Sequence, residues 1–106
     1  MKISALAAPV VSAVLAISSV PVRASLELAA KSACTACHAP QRTILGPAYA
    51  DVARKYAGQK DALVLLTESI RKGGAGKWGP VPMPAQPGLS DADLKTLAVW
   101  VLAGAK

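Results

Sequence analysis

The run Cys34-Thr35-Ala36-Cys37-His38 is the part of the sequence whose residue types and spacing point most directly to chemistry. Two thiols at this spacing can bond to the vinyl groups of a haem, and the adjacent imidazole can bind its iron. A thioredoxin-like redox pair is expected beside a βαβ pattern, and no strand-rich stretch appears here. A simple disulfide is the remaining rival. Zinc would need about four Cys or His ligands, and the chain has no third cysteine and no second histidine.

Residues 1–24 have the features of a cleaved signal peptide. Lys2 gives a positive start, residues 3–20 are almost all apolar or small, and Ala24 is a small residue suited to the cleavage point. An uncleaved membrane anchor is the alternative, since the apolar stretch approaches the roughly 20 residues that span a bilayer. Two prolines and several serines count against it. We therefore expect an exported, periplasmic chain of residues 25–106 that is not held in a membrane.

The composition of this expected mature chain limits its function. It keeps 82 of the 106 residues, with 10 basic against 6 acidic side chains, a net charge of about +4. The basic residues are scattered, so nucleic-acid binding is not expected. A single small domain without phenylalanine has few large side chains for a core, and a buried haem would fill that deficit. In an oxidising compartment, thioether bonds would also consume the two thiols.

Four stretches with helical spacing of apolar residues predict an all-α domain of about four short helices. The last helix is expected to pack across the first, with Trp100 as a core aromatic. The predicted helices are residues 26–33, leading into Cys34; residues 48–57; a helix with Asp61 as N-cap that ends at Gly73; and a helix that starts at a capping-box-like Ser90 and Asp93 and ends at Gly104.

The predicted loop at residues 73–88 contains Met83, the one methionine outside the expected signal peptide. A haem iron bound by His38 has a second axial position, which protein fills in an electron carrier and leaves open in an oxygen or peroxide site. A thioether suits this iron and raises its potential, and Pro82 and Pro84 would stiffen the backbone that presents it. A lone methionine is otherwise usually a core residue. By elimination, Met83 is the predicted second ligand.

Two further groups, a backbone carbonyl and a tryptophan side chain, are candidates for contacts at the haem site. The carbonyl of Pro47 could accept a hydrogen bond from the second ring nitrogen of His38, although a Gly-Pro turn before a helix is common. Trp78 could pack on a haem edge and donate its N–H to a propionate, or serve only as a core residue. Arg71 and Lys72 could also reach propionates, and a solvated helix end explains them equally well.

Four blocks of the chain, in this order, resemble the short bacterial class I cytochromes c of the cytochrome c-551 group. The resemblance implies a class I cytochrome c fold around one covalently attached haem c, with thioether bonds at Cys34 and Cys37 and axial ligands His38 and Met83. It also implies hydrogen bonds from the His38 ring to Pro47 and from Trp78 to a propionate. The blocks are residues 34–39; residues 46–49 with 51–53 and 55–58; residues 78–84; and residues 97–102.

Three positions depart from the pattern of that group. Ala33 stands where a glycine often precedes the first cysteine, and Gln86 where an asparagine commonly bonds near the methionine sulfur. Ser69 stands where relatives place a propionate-pairing arginine or histidine. The first departure could adjust helix packing, and the other two put the propionate network and the fine setting of the potential in doubt.

The resulting prediction is a monomeric, periplasmic monohaem cytochrome that carries one electron at a time and is not an enzyme. Its partners would be redox proteins with acidic docking surfaces, met by lysines such as Lys77. Nitrite reductases, peroxidases and terminal oxidases are the partners served by the group it resembles. The alternatives are a haem c subunit of a larger oxidoreductase complex and a haem ligand sensor with a labile sixth position.

Overall fold

The computed structural model describes Pro9 and residues 22–106, with side chains from Ser25 onward. The predicted signal peptide, residues 1–24, lies almost entirely outside this part, and its cleavage stays a prediction. Within the described part, none of the helices combines the length and the apolar character that a membrane span requires.

The described residues form four α-helices and one short 3-10 helix, which confirms the predicted all-α class. They contain no β-strand, only two isolated bridges, His38–Thr43 and Gly74–Met83. The helices are α1, Val22–Lys31; α2, Tyr49–Tyr56; α3, Ala62–Lys72; and α4, Asp91–Leu102; the 3-10 helix is Cys34–Ala36.

Helix α1 differs most from its prediction, since it begins four residues earlier than residue 26 and ends two residues before Ala33. Ala33 adopts a left-handed conformation with φ of 62°, which an α-helix cannot contain. The chain therefore leaves the helix before the cysteine motif, and Cys34–Ala36 forms a separate tight turn.

The sequence predicts an N-cap residue for both α3 and α4, and only one of the two makes a side-chain capping bond. Ser90 Oγ accepts a hydrogen bond of 3.1 Å from the backbone N–H of Asp93, which confirms the predicted N-cap of α4. Asp61 precedes α3 as predicted, but its side chain makes no capping bond. Its carbonyl alone accepts the first helical bond, from the N–H of Leu65 at 2.9 Å.

Helix α4 is central to the packing, because it contacts α1, α2 and α3. Its contact with α1 confirms the predicted pairing. Leu94 is fully buried, and Trp100 is buried as expected. The buried apolar core consists of Ala29, Tyr49, Val52, Tyr56, Leu66, Ile70, Leu94, Leu97, Ala98, Trp100 and Val101.

Leu94→Ala should lower the free energy of unfolding by about 2–5 kcal/mol, because it removes a fully buried side chain from the helix that joins the other three. Denaturant unfolding of the haem-loaded protein measures this. The matched control is Leu65→Ala on α3, where the side chain is 37% exposed and the loss should stay below about 1 kcal/mol. Equal losses in the two variants would contradict the central role of α4.

Candidate functional site

One cavity of about 490 Å³ brings together the six residues that the sequence predicts to attach the haem, bind its iron or bond to it. The side chains of α2, α3 and α4 form much of its wall, and the cysteine turn and the loop after α3 complete it. The predicted residues that line it are Cys34, Cys37, His38, Pro47, Trp78 and Met83.

The 3-10 turn explains why the two cysteines and the histidine face one space. A 3-10 helix has about three residues per turn, so positions i and i+3 lie on the same side. The carbonyl of Cys34 accepts from the N–H of Cys37 at 3.1 Å and from that of His38 at 2.9 Å. No disulfide joins the two cysteines, so both sulfurs can form thioether bonds, and burial raises the pKa of the Cys34 thiol before attachment. The arrangement presents two sulfurs and one imidazole to the same ligand.

The imidazole of His38 is restrained from three directions. Its Nδ1 lies 2.7 Å from the carbonyl oxygen of Pro47, and donation by Nδ1–H leaves Nε2 as the nitrogen with a free lone pair. The ring stacks on that of Tyr49, with centroids 5.4 Å apart. A Cβ at Gly46 would lie 2.6 Å from His38 Cε1, so only glycine leaves the ring this position.

The backbone of Met83 is pinned to the end of α3. Gly74 N–H donates to the carbonyl of Met83 at 3.0 Å, and Met83 N–H donates to that of Gly74 at 2.7 Å. Gly73 has a φ of 65°, and a Cβ there would collide with the backbone of residues 83–85. The sequence indicated stiffening by the flanking prolines; the bridge to Gly74 adds a restraint that the local sequence did not reveal.

Two lining residues that were not predicted as haem contacts, Tyr49 and Trp100, have polar groups on their aromatic rings. The Tyr49 hydroxyl and the Trp100 indole N–H are buried without a partner in the described protein. Burial also raises the pKa of Tyr49, so its hydroxyl stays a neutral donor. Buried donors normally have partners, and a group bound in the cavity is the available source of acceptors. The sequence carries one signal for this role, namely an aromatic residue with a polar group at a position predicted to be in the core.

These observations test whether a haem fits the cavity. The wall is largely apolar, the two sulfurs and the imidazole come from one turn, a thioether lies on another segment, and two donors lack acceptors. A haem with two propionates matches each of these features. The residues present therefore fit the group.

Trp78 lies at the mouth of this cavity, with 45% of its surface exposed. The ammonium of Lys55 lies 4.6 Å from its ring centroid, a cation–π contact. The predicted hydrogen bond from Trp78 to a propionate stays a prediction.

Arg71 and Lys72 were predicted either to reach the propionates or to lie at a solvated helix end, and the structure places them at the end of α3. Arg71 pairs with Glu68 at 2.7 Å and with Asp91 at 2.6 Å, and Lys72 pairs with Glu68 at 2.9 Å. The hydrogen bond from Lys72 lowers the pKa of Glu68. Neither cation lines the cavity.

A helical domain that encloses a Cys-x-x-Cys-His turn opposite a methionine defines a c-type haem protein. The family model described as cytochrome c matches residues 25–104. The chain is 53% identical over 79 residues to the cytochrome c-552 of Hydrogenobacter thermophilus, covering 74% of this chain and 80% of that protein. It is 48% identical over 79 residues to the cytochrome c-551 of Allochromatium vinosum, covering 74% and 84%.

A solved structure agrees with this likeness. The crystal structure of wild-type Nitrosomonas europaea cytochrome c552 matches with a TM-score of 0.72 at 44% identity, covering 74% of this chain and 98% of that one. The chain belongs to the cytochrome c family, as a small bacterial class I member similar to cytochromes c-551 and c-552. This confirms the predicted family and fold. The protein has one haem c, attached through Cys34 and Cys37, and is an electron carrier rather than an enzyme.

Gly46→Ala should displace the His38 ring and weaken its hydrogen bond to Pro47, because the added methyl group would overlap the imidazole. We expect a loss of about 1–3 kcal/mol in the free energy of unfolding, with altered NMR shifts of the His38 ring. Gly88→Ala is the matched control, since a Cβ there meets nothing within 4 Å. An unchanged His38 environment in Gly46→Ala would contradict this restraint.

Proposed function

We propose that this protein is a periplasmic, monomeric one-electron carrier in which His38 Nε2 and Met83 Sδ would hold the haem iron. When bound, the haem supplies an iron that alternates between the ferric and ferrous states. The main support is that both side chains line the same cavity, on segments held by separate hydrogen bonds. A closed pair of protein ligands is typical of carriers, whereas enzymes and sensors keep a position open.

The restraints on the two ligands suit repeated electron transfer. The Pro47 carbonyl fixes the tautomer of His38 and increases the basicity of Nε2. The paired hydrogen bonds between Gly74 and Met83 hold the thioether's backbone independently of that histidine. Ligands held by their surroundings keep their geometry when the charge of the metal changes. In this proposal Trp78 closes the mouth of the cavity and donates its N–H to a propionate.

The rim of the cavity is the proposed docking surface. Leu45, Trp78 and Val81 line the cavity and expose 63%, 45% and 57% of their surfaces. The ammonium of Lys55 lies over the Trp78 ring, Lys77 lines the same cavity, and residues 25–106 have a net charge of about +4. A small apolar patch with positive charge beside it favours brief contacts with redox proteins that have acidic docking surfaces. A nitrite reductase, a peroxidase or a terminal oxidase would be such a partner.

Export to the periplasm is supported by the sequence features of residues 1–24 and by the chemistry of the cysteines. A basic start, an apolar segment and a small residue at Ala24 are typical of a cleaved signal peptide. No nucleic-acid or membrane role is proposed for residues 25–106.

Met83→Ala should open the sixth position of the iron, because the thioether would be lost. We expect the reduced variant to bind carbon monoxide stoichiometrically, the ferric variant to lose the weak long-wavelength Met-to-iron absorption band, and the reduction potential to fall. Val81→Ala is the control from the same loop and should keep the band and exclude carbon monoxide. Ready carbon monoxide binding by the wild-type protein would instead indicate a ligand sensor.

Electron transfer to an acidic redox partner should slow as salt is added. Raising the ionic strength from about 0.01 to 0.15 M shortens the screening length from about 30 to 8 Å, which weakens attraction to a positively charged rim. Stopped-flow rates at several salt concentrations measure this. Rates that do not depend on salt would contradict basic steering, and elution with other subunits on a native sizing column would contradict a free monomer.

A further inference from the structure

Lys77 is an exposed residue, yet its ammonium lies against the protein and contacts two hydroxyl groups. Its Nζ lies 3.3 Å from Ser69 Oγ and 3.4 Å from Tyr56 Oη. All three residues line the cavity. A flexible, strongly hydrated side chain loses conformational entropy when it is held in this way. A favourable contact of the ammonium is needed to offset that loss.

The two partners of this ammonium are neutral hydroxyls. Ion pairs join Arg54 to Asp51, Arg71 to both Glu68 and Asp91, and Lys72 to Glu68. Among the described residues, no carboxylate lies within ion-pair distance of Lys77. Its charge is therefore available to an anion that enters the cavity.

The two hydroxyls add donors to the same place. A hydroxyl that accepts a hydrogen bond from an ammonium still has its own O–H to donate. The ammonium, Ser69 and Tyr56 thus supply several donors around one point, and an ionised carboxylate, which only accepts, matches such a group. The short side chain of Ser69 also leaves room for the ammonium, which a longer side chain would displace.

Lys55 holds the segment that contains Lys77 in place. Its Nζ donates to the backbone carbonyl of Lys77 at 3.4 Å and lies over the ring of Trp78. One side chain of α2 therefore restrains two consecutive loop residues at the mouth of the cavity. This restraint holds the backbone of Lys77 where its ammonium can reach Ser69 and Tyr56.

We propose that the Lys77 ammonium, with the hydroxyls of Ser69 and Tyr56, binds one propionate carboxylate of the haem, and that Lys55 is a positioning residue for this contact. The proposal rests on the proposed function, since it requires the haem in this cavity. In this proposal the charge of Lys77 is paired with the propionate and acts on the potential of the iron, instead of steering redox partners as the sequence predicted.

Lys77→Gln tests this contact in the haem-loaded protein. Loss of a positive charge beside a propionate leaves the carboxylate uncompensated and stabilises the ferric iron, so the reduction potential should fall. Lys60→Gln removes the same charge from an exposed position and controls for net charge. We expect the fall in Lys77→Gln to be several-fold larger, and Lys77→Arg to restore most of it. NMR of the wild-type protein should show Lys77 ε-protons close to the methylene protons of a propionate.

The outcomes distinguish the two proposals. If Lys77→Gln and Lys60→Gln shift the potential equally and the NMR contact is missing, the propionate site is wrong. If Lys77→Gln instead changes only the salt dependence of electron transfer, Lys77 belongs to the docking surface and the propionate site is again wrong. In both cases an unchanged Met-to-iron band and exclusion of carbon monoxide would leave the His38–Met83 carrier intact, whereas failure of those two tests would overturn the proposed function itself.

Discussion

The hydrogen bond between His38 Nδ1 and the Pro47 carbonyl, 2.7 Å long, is the interaction on which the rest of the site depends. It connects the cysteine turn to the start of α2, where Tyr49 stacks on the same imidazole. Gly46 makes the contact possible, because any side chain there would occupy the space of the ring. These three neighbours fix the orientation of the imidazole, and in the proposed coordination they would also fix the placement of the iron.

The protein chain does not fill its own interior. The helices pack around a cavity of about 490 Å³, and the sequence has no phenylalanine to occupy it. The Tyr49 hydroxyl and the Trp100 N–H are buried at this cavity without acceptors from the described protein. The covalently attached haem would therefore be part of the core as well as the redox centre, because it would fill this apolar volume and bring acceptors that these donors lack.

The loop between α3 and α4 performs two separate tasks at one cavity. Its Met83 end is held by the paired hydrogen bonds to Gly74, and its Lys77–Trp78 part is held by Lys55 on α2. A long loop without regular structure usually has a functional reason. Here its backbone is anchored at both points, so a segment without helix or strand can present a thioether and an ammonium at defined positions.

By itself the sequence determined the chemistry that is local along the chain: the Cys34–Cys37–His38 spacing, the Ser90 cap, the helical spacing of apolar residues and Met83 as the sole remaining thioether. The first three depend on neighbours a few residues away, so local pattern suffices for them, and Met83 follows from a count of possible ligands along the chain. Tertiary structure decided the bridge from Gly74 to Met83, the unpaired polar ends of Tyr49 and Trp100, the pairing of Arg71 with Asp91 and the contact of the Lys77 ammonium with Ser69. These depend on how separate segments meet around a cavity, and a short stretch of sequence carries no signal for distances between segments.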